Sequence, residues 1–186
     1  MLKTSQQIIG SNITGKRVDH DFYPTPPEAV EALLKLEKFE GEIWECACGD
    51  GAISKILLQH GYKVYSSDLI DRGYGSPNHD FLTSQLKSDN IVTNPPFNLS
   101  LEFTLKALQC VKNKAVFLNK ITFLEGIKRK NNLFNLNKLK KVHIFSKRLG
   151  FNNKGKKGLI CFAWYVFDVN YNGKPTIDWI WNILRR

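Results

Sequence analysis

Apolar residues along the chain alternate between helical spacing and short continuous runs. Thr25-Pro26-Pro27-Glu28 reads as a helix start, with Thr25 as N-cap, proline in the first turn and Glu28 reaching back. Val30, Leu33 and Leu34 then fall on one helical face, and Gly41 marks the exit. Ile43-Trp44-Glu45-Cys46-Ala47 predicts a strand that runs into a glycine turn. Ile53, Ile56 and Leu57 predict the helix after it, closed by Gly61. Tyr62 to Ser66 predicts a second strand ending at Asp68, and Asn90 to Thr93 a third ending at Asn94. Ser100 is expected to cap a helix through Leu101, Leu105 and Leu108, with Ala115 to Leu118 as the next strand. Val142 to Phe145 and the run Leu159 to Val169 predict two last strands. The second of these has no polar residue before Asp168, which suits a strand covered on both faces. Strands alternating with helices specify a mostly parallel sheet between helical layers. The expected fold is doubly wound α/β.

Composition narrows the class. With 42% hydrophobic and 24% charged residues, the 186-residue chain is globular rather than disordered. No apolar run approaches the roughly 20 residues of a membrane span, and Met-Leu-Lys-Thr-Ser-Gln-Gln has no apolar core, so neither membrane nor signal peptide is expected. Four cysteines are too few for a disulfide scaffold and fit a reducing, cytoplasmic setting. No repeat or linker divides the chain, so residues 1–20 read as a polar lead and 21–186 as one domain.

Charge changes the picture further. The net +10 is unevenly spread: residues 1–111 balance at −4, whereas 112–158 carry 14 basic side chains against the single Glu125. Codon bias toward Lys does not by itself strip acids from one stretch, so a polyanionic partner is expected there.

The first strand ends in Glu45-Cys46-Ala47-Cys48-Gly49-Asp50-Gly51. Gly49 and Gly51 let the backbone turn sharply against a ligand. Asp68 follows Gly49 at the end of the next strand, where a carboxylate can take both hydroxyls of a ribose. A dinucleotide fingerprint wants glycine or alanine where Ser54 stands, and Glu45 or Asp50 would repel a pyrophosphate. Acids suit a cationic nucleoside instead. S-adenosylmethionine, with its ammonium and sulfonium, is the expected cofactor. The Cys46-x-Cys48 spacing is poor for zinc, no metal is expected, and His20, His60, His79 and His143 have no catalytic spacing.

Asn94-Pro95-Pro96-Phe97 is the sharpest feature. Two prolines stiffen the turn and withdraw two N–H donors. Asn94 and the Pro95 carbonyl remain as acceptors for the two N–H bonds of a planar amino group, and Phe97 can stack on its ring.

With this tetrapeptide the chain resembles the amino-methyltransferases with an Asn/Asp-Pro-Pro-aromatic motif, and among them the phage-type DNA adenine-N6 methyltransferases. The resemblance spans roughly residues 21–168 in motif order. Asp21-Phe22-Tyr23-Pro24-Thr25-Pro26-Pro27 resembles the motif whose turn, through Tyr23, Pro24 and Thr25, contacts the methionine part of the donor. Glu45, Cys46, Gly49 and Gly51 fall in the donor loop. Asp68 matches the ribose-binding acid, Leu69 lies against adenine, and Asp80-Phe81 matches the pair at the adenine edge. Asn94, Pro95, Pro96 and Phe97 match the catalytic motif, and Ala163-Trp164-Tyr165 a late aromatic strand. The resemblance implies the class I methyltransferase fold and methyl transfer to N6 of adenine in DNA.

One departure stands out. Only 18 residues follow Asp168, so no separate recognition domain is expected. Base reading falls to 125–141, to 147–157, to a partner protein or to a homo-oligomer. Lys128, Arg129, Lys130, Lys147 and Arg148 are the expected phosphate contacts. The Tyr23-Pro24-Thr25-Pro26 motif favours DNA over RNA, by resemblance. RNA amino-methylation, glutamine methylation in a protein, and nucleic-acid binding without catalysis are the rival functions.

Overall fold

The computed structural model describes residues 22–151 and 160–180. The polar lead at 1–20, Asp21, most of 147–157, Leu159 and the end of the chain lie outside the described residues.

The described chain builds a seven-stranded sheet. Its elements are α1 (Pro27–Leu36), β1 (Ile43–Glu45), α2 (Ala52–Gln59), β2 (Val64–Ser66), β3 (Ser88–Thr93), α3 (Ser100–Cys110), β4 (Val111–Lys120), α4 (Ile127–Asn132), β5 (Leu139–Phe145), β6 (Phe162–Asp168) and β7 (Thr176–Ile180). The strand order is β2-β1-β3-β4-β6-β5-β7. β6 runs antiparallel to β4 and β5, and every other neighbouring pair is parallel. This is the expected doubly wound, mostly parallel architecture. The order reverses between β1 and β3, so the crevice at the carboxyl ends of those two strands is the switch point where such sheets bind ligands.

Period-2 alternation sorts the central strands between two apolar layers. Phe162, Trp164 and Val166 of β6, with Val116 and Leu118 of β4, face α1 and α2. Ala163, Tyr165 and Phe167, with Ala115 and Phe117, face α3. Trp164 buries its ring and donates its Nε1–H to the Ala29 carbonyl at 2.8 Å, pinning α1 to the sheet. The late aromatics therefore belong to the core.

Local details depart from the sequence reading at both predicted caps. The N-cap of α1 is Pro26 and no side chain caps it, because Thr25 turns inward and is buried. Ser100 is the first residue of α3 rather than its cap. A one-turn 3-10 helix, Phe97–Leu99, already leads into α3, and the Ser100 hydroxyl instead donates to Asn119 Oδ1 at 2.7 Å. α1 ends at Leu36, and Gly41 serves the turn before β1. β7 and α4 are additions to the predicted elements.

Candidate functional site

The glycine loop takes its shape from three contacts. Gly49 and Gly51 have φ of 56° and 81°, the left-handed region that disfavours side chains. A Cβ at Gly49 would sit 2.3 Å from the Phe22 ring, and one at Gly51 2.6 Å from the Tyr74 ring, so aromatic faces roof the loop directly. The Asp68 carboxylate accepts the Gly49 N–H at 2.8 Å and the Ile70 N–H at 2.9 Å, tying the ends of β1 and β2 together.

Glu45 closes the loop from below. Gly51 supplies no side-chain cap to α2, and Glu45 Oε2 fills that place, accepting the Ser54 N–H at 2.7 Å and the Ser54 hydroxyl. Burial pushes its carboxyl up to about 8, opposed by the Ser54 hydrogen bonds and assisted by Asp50 and Asp68. Burial thus favours the protonated form of Glu45, where the sequence reading counts a carboxylate. Burial likewise pushes the Cys48 thiol up to about 12, with Glu45 and Asp68 adding to the effect.

Above this loop opens a cleft of about 480 Å³ at the switch point. Tyr23, Pro24, Thr25, Glu45, Cys46, Asp68, Leu69, Asp80, Phe81, Asn94, Pro95 and Pro96 line it, so most of the sequence-predicted site converges on one space. Gly49 and Gly51 shape the loop without lining the cleft. Leu69 is 57% exposed at its mouth, whereas Phe81 is buried as a wall against Trp44 and Phe103. The Asp80 side chain accepts the Leu82 N–H at 2.9 Å, holding its own turn. Four carboxyl groups, at Glu45, Asp50, Asp68 and Asp80, line the cleft against the single guanidinium of Arg72.

Phe22, Arg72, His79 and Phe103 also line the cleft and escaped the sequence reading as site residues. Arg72 lies 4.1 Å over the Phe22 ring. Phe22 carried a signal, its place in the Asp21 to Pro27 motif. Arg72 and His79 lie in the irregular loop after β2, where no periodicity marks them.

At the β3 end, Asn94 Nδ2 donates to the Tyr23 carbonyl at 3.1 Å. That bond fixes the amide's orientation and leaves Asn94 Oδ1 buried with no partner among the described residues. Among the described residues Thr93 Oγ1, Asn119 Nδ2 and His143 Nδ1 are likewise buried and unpartnered. Of the four residues, Asn94 alone lines the cleft, where a bound N–H or O–H would relieve the cost of an unpaired acceptor. Phe97 stands apart from the expectation of a single pocket: it borders a second groove of about 560 Å³, together with Asn98 and the turn Gly126–Arg129. Asn98 lines both spaces, so the groove and the cleft adjoin. Lys120 Nζ lies 4.7 Å over the Phe97 ring, and Tyr23 stacks on it at 6.2 Å.

The basic stretch divides between the two ends of the sheet. Lys112, Lys114, Lys140 and Lys141 pair with Asp89, Glu37, Asp168 and Glu37 where β4 and β5 begin, away from the cleft. Lys128, Lys130, Lys147 and Arg148 are exposed beyond the opposite ends of those strands. Arg129 turns inward, donating to the carbonyls of Glu125 and Thr122 and lying over the Phe123 ring. Among the described residues, no helix is long and apolar enough to cross a membrane.

No protein-family model and no curated protein matches the sequence. Solved structures do share the fold. A protein assigned as an RNA methyltransferase from Pyrococcus horikoshii superposes with a TM-score of 0.64 at 16% identity, over 85% of this chain and 91% of that one. One assigned as a class I S-adenosylmethionine-dependent methyltransferase from Listeria monocytogenes gives 0.62 at 12% identity, over 96% and 70%. The modification subunit assigned to a type I restriction enzyme of Vibrio vulnificus gives 0.58 at 14% identity, over 85% of this chain and 46% of the subunit. The chain thus spans about half the length of that subunit. The fold is the Rossmann-like one of class I methyltransferases.

Proposed function

We propose that this chain is an S-adenosylmethionine-dependent methyltransferase acting on the exocyclic N6 of adenine in DNA, with residues 21–186 as its catalytic domain. The observation that carries the reading is the unpartnered, buried Oδ1 of Asn94 at the wall of an acid-lined cleft. A cleft lined by Asp50, Asp68 and Asp80 besides the buried Glu45, against one guanidinium, favours a cationic ligand. Asp68 keeps lone pairs beyond its two backbone bonds for ribose hydroxyls, and exposed Leu69 offers an apolar face to a base. S-adenosylmethionine, when bound, supplies an electrophilic methyl carbon on a sulfonium.

The chain's own task is to present a nitrogen to that carbon. An exocyclic amino group is a weak nucleophile because its lone pair is delocalised into the ring. Asn94 Oδ1 and the Pro95 carbonyl would accept its two N–H bonds and favour the pyramidal nitrogen of the transition state over the flat ground state. The Tyr23 carbonyl, by holding Asn94 Nδ2, spares Asn94 from choosing its rotamer at the moment of reaction. The base itself would rest where cleft and groove meet, against Phe97, with the phosphates on Lys128, Lys130, Lys147 and Arg148. A recognition partner or a second copy would supply the base reading.

RNA is the second reading, favoured by the likeness to the Pyrococcus protein over nearly the whole of both chains. The deciding experiment offers the protein methyl-labelled donor with DNA, RNA or protein and digests each product. Label in N6-methyladenosine's deoxy form is expected. Label in RNA moves the assignment to the second reading, and label in protein alone, or nowhere, overturns both.

A further inference from the structure

Helix α4 is a short, solvent-standing element with no buried residue of its own. Its first residue, Ile127, is 80% exposed, more than any other large hydrophobic side chain among the described residues. The helix is nevertheless firmly mounted. Arg129 reaches back to the carbonyls of Thr122 and Glu125 and lies 5.4 Å over the buried Phe123 ring. The Leu133 N–H bonds the Arg129 carbonyl at 3.0 Å, and the Leu133 side chain is wholly buried. This mounting directs Ile127 outward at the wall of the groove that also holds Phe97 and Asn98. Exposed Lys128 and Lys130 flank it; the acids nearby are Glu125 in the same turn and Glu102, which lines the groove from α3.

A single exposed apolar side chain is ordinary on a protein surface. Set at the wall of a groove beside two exposed lysines, on a helix anchored through Arg129 and Leu133, it is also suited to a stacked, anionic partner. On the reading above, which this inference rests on, the target base must leave its stack to reach Asn94, at the end of β3. A duplex tends to reclose unless something occupies the gap. We infer that Ile127 is an intercalating wedge, which enters a DNA duplex beside the target adenine while Lys128 and Lys130 hold the adjoining phosphates. Apolar wedges of this size unstack a base step without reading its sequence. The groove beside Ile127 then gives the extruded base its path past Phe97 and Asn98 to the cleft.

The wedge separates two substrates that Asn94 treats alike. A base in a single strand has no partner to reclose on, so it needs no wedge. Initial rates of methyl transfer to native plasmid DNA and to the same DNA heat-denatured should therefore respond differently to substitution. In the full chain, Ile127→Ala and Ile127→Ser are expected to slow transfer to native DNA about tenfold or more and to change transfer to denatured DNA less than about twofold. Ile127→Leu should keep most of the duplex rate. The side chain is exposed, and unchanged melting temperatures would check that folding is intact. Equal duplex rates in wild type and Ile127→Ala overturn the wedge while leaving the methyltransferase reading in place. A wild-type protein that methylates only denatured DNA, or only RNA, also overturns it. Wild-type protein that labels no nucleic acid removes the functional reading itself, and the wedge with it.

Discussion

The side-chain amide of Asn94 bonds the backbone carbonyl of Tyr23, a residue 71 positions earlier in the chain. One hydrogen bond thus joins the N-terminal turn to the end of β3 and holds the Asn94 amide in one orientation. Asn94→Ala removes both the unpartnered acceptor and this tether. If the acceptor acts mainly in the transition state, transfer should fall by about two to three orders of magnitude, as for loss of one aimed polar group. Donor affinity should weaken by no more than about 1 kcal/mol, the worth of an ordinary hydrogen bond. Single-turnover rates and donor titrations on the folded variant separate the two effects.

Asp68 carries a double duty that Asn94 does not. Its carboxylate already organises Gly49 and Ile70, so Asp68→Ala loosens the glycine loop as well as removing a ribose acceptor. Donor binding should weaken by about 1.5–3 kcal/mol, the range for charge-assisted hydrogen bonds. Calorimetry giving unchanged affinity in a folded variant would detach the donor from this cleft.

Glu45 makes the same site sensitive to pH. Burial raises its folded pKa to about 8 against an ordinary 4.5, so its contribution to stability is complete below 4.5 and is lost as pH rises through about 8. Replacing it by Gln should flatten that decline, provided the Ser54 bonds survive. A cation in the cleft favours the ionised form, so donor binding between those values should release a proton and tighten as pH rises. Calorimetry at pH 7 in buffers of different ionisation enthalpy reads the proton directly, and Glu45→Gln should abolish the release.

Much of this was legible in the sequence because burial and chemistry left separate marks. The run at β6 is apolar on both faces, β1 and β3 hold shorter apolar stretches, and the Asn94 to Phe97 turn falls where β3 stops. β7 left no such mark: four of its five residues, Thr176 to Trp179, are exposed on a sheet edge, so burial did not shape their pattern. Summed charge hid a division that arises only in the fold. The Lys-rich stretch contains four lysines paired with distant acids, and Arg129 is satisfied by its own turn. Nor could spacing reveal that Phe97, the first residue of a one-turn 3-10 helix, lines a groove beside the cleft rather than the cleft itself.

The far end of the sheet carries a stabilising cluster rather than a site. Glu37 is buried where α1 ends and meets Lys114 at 2.7 Å, Lys141 at 3.0 Å and His143 Nε2 at 3.1 Å. Burial alone would raise its carboxyl, but hydrogen bonds from His143, Lys114 and Lys141 outweigh that and hold it well below the ordinary 4.5. A depressed folded pKa contributes stability above the unfolded value, lost as pH falls below it. Glu37→Gln should therefore cost about 3 kcal/mol at pH 7, the low end for a broken buried pair since both lysines reach solvent. The difference from wild type should shrink below pH 4.5, and denaturant midpoints measured across that range test it.

The division of the basic stretch yields a prediction that total charge cannot make. Lys128 and Lys130 are exposed beside the groove, whereas Lys112 and Lys140 sit at the opposite end of the sheet in ion pairs with Asp89 and Asp168. Each pair contributes two formal charges, so a diffuse attraction to DNA would weaken about equally on losing either. Phosphate contacts at the groove would not. Replacing Lys128 and Lys130 with Ala should flatten the dependence of log affinity on log salt by up to about 2 units, while Lys112→Ala with Lys140→Ala should leave that slope nearly unchanged. Donor affinity should be untouched in the first pair, since neither residue lines the cleft. Equal slopes in the two double variants would mean that DNA is held elsewhere, and that the groove beside Phe97 is not its path to Asn94.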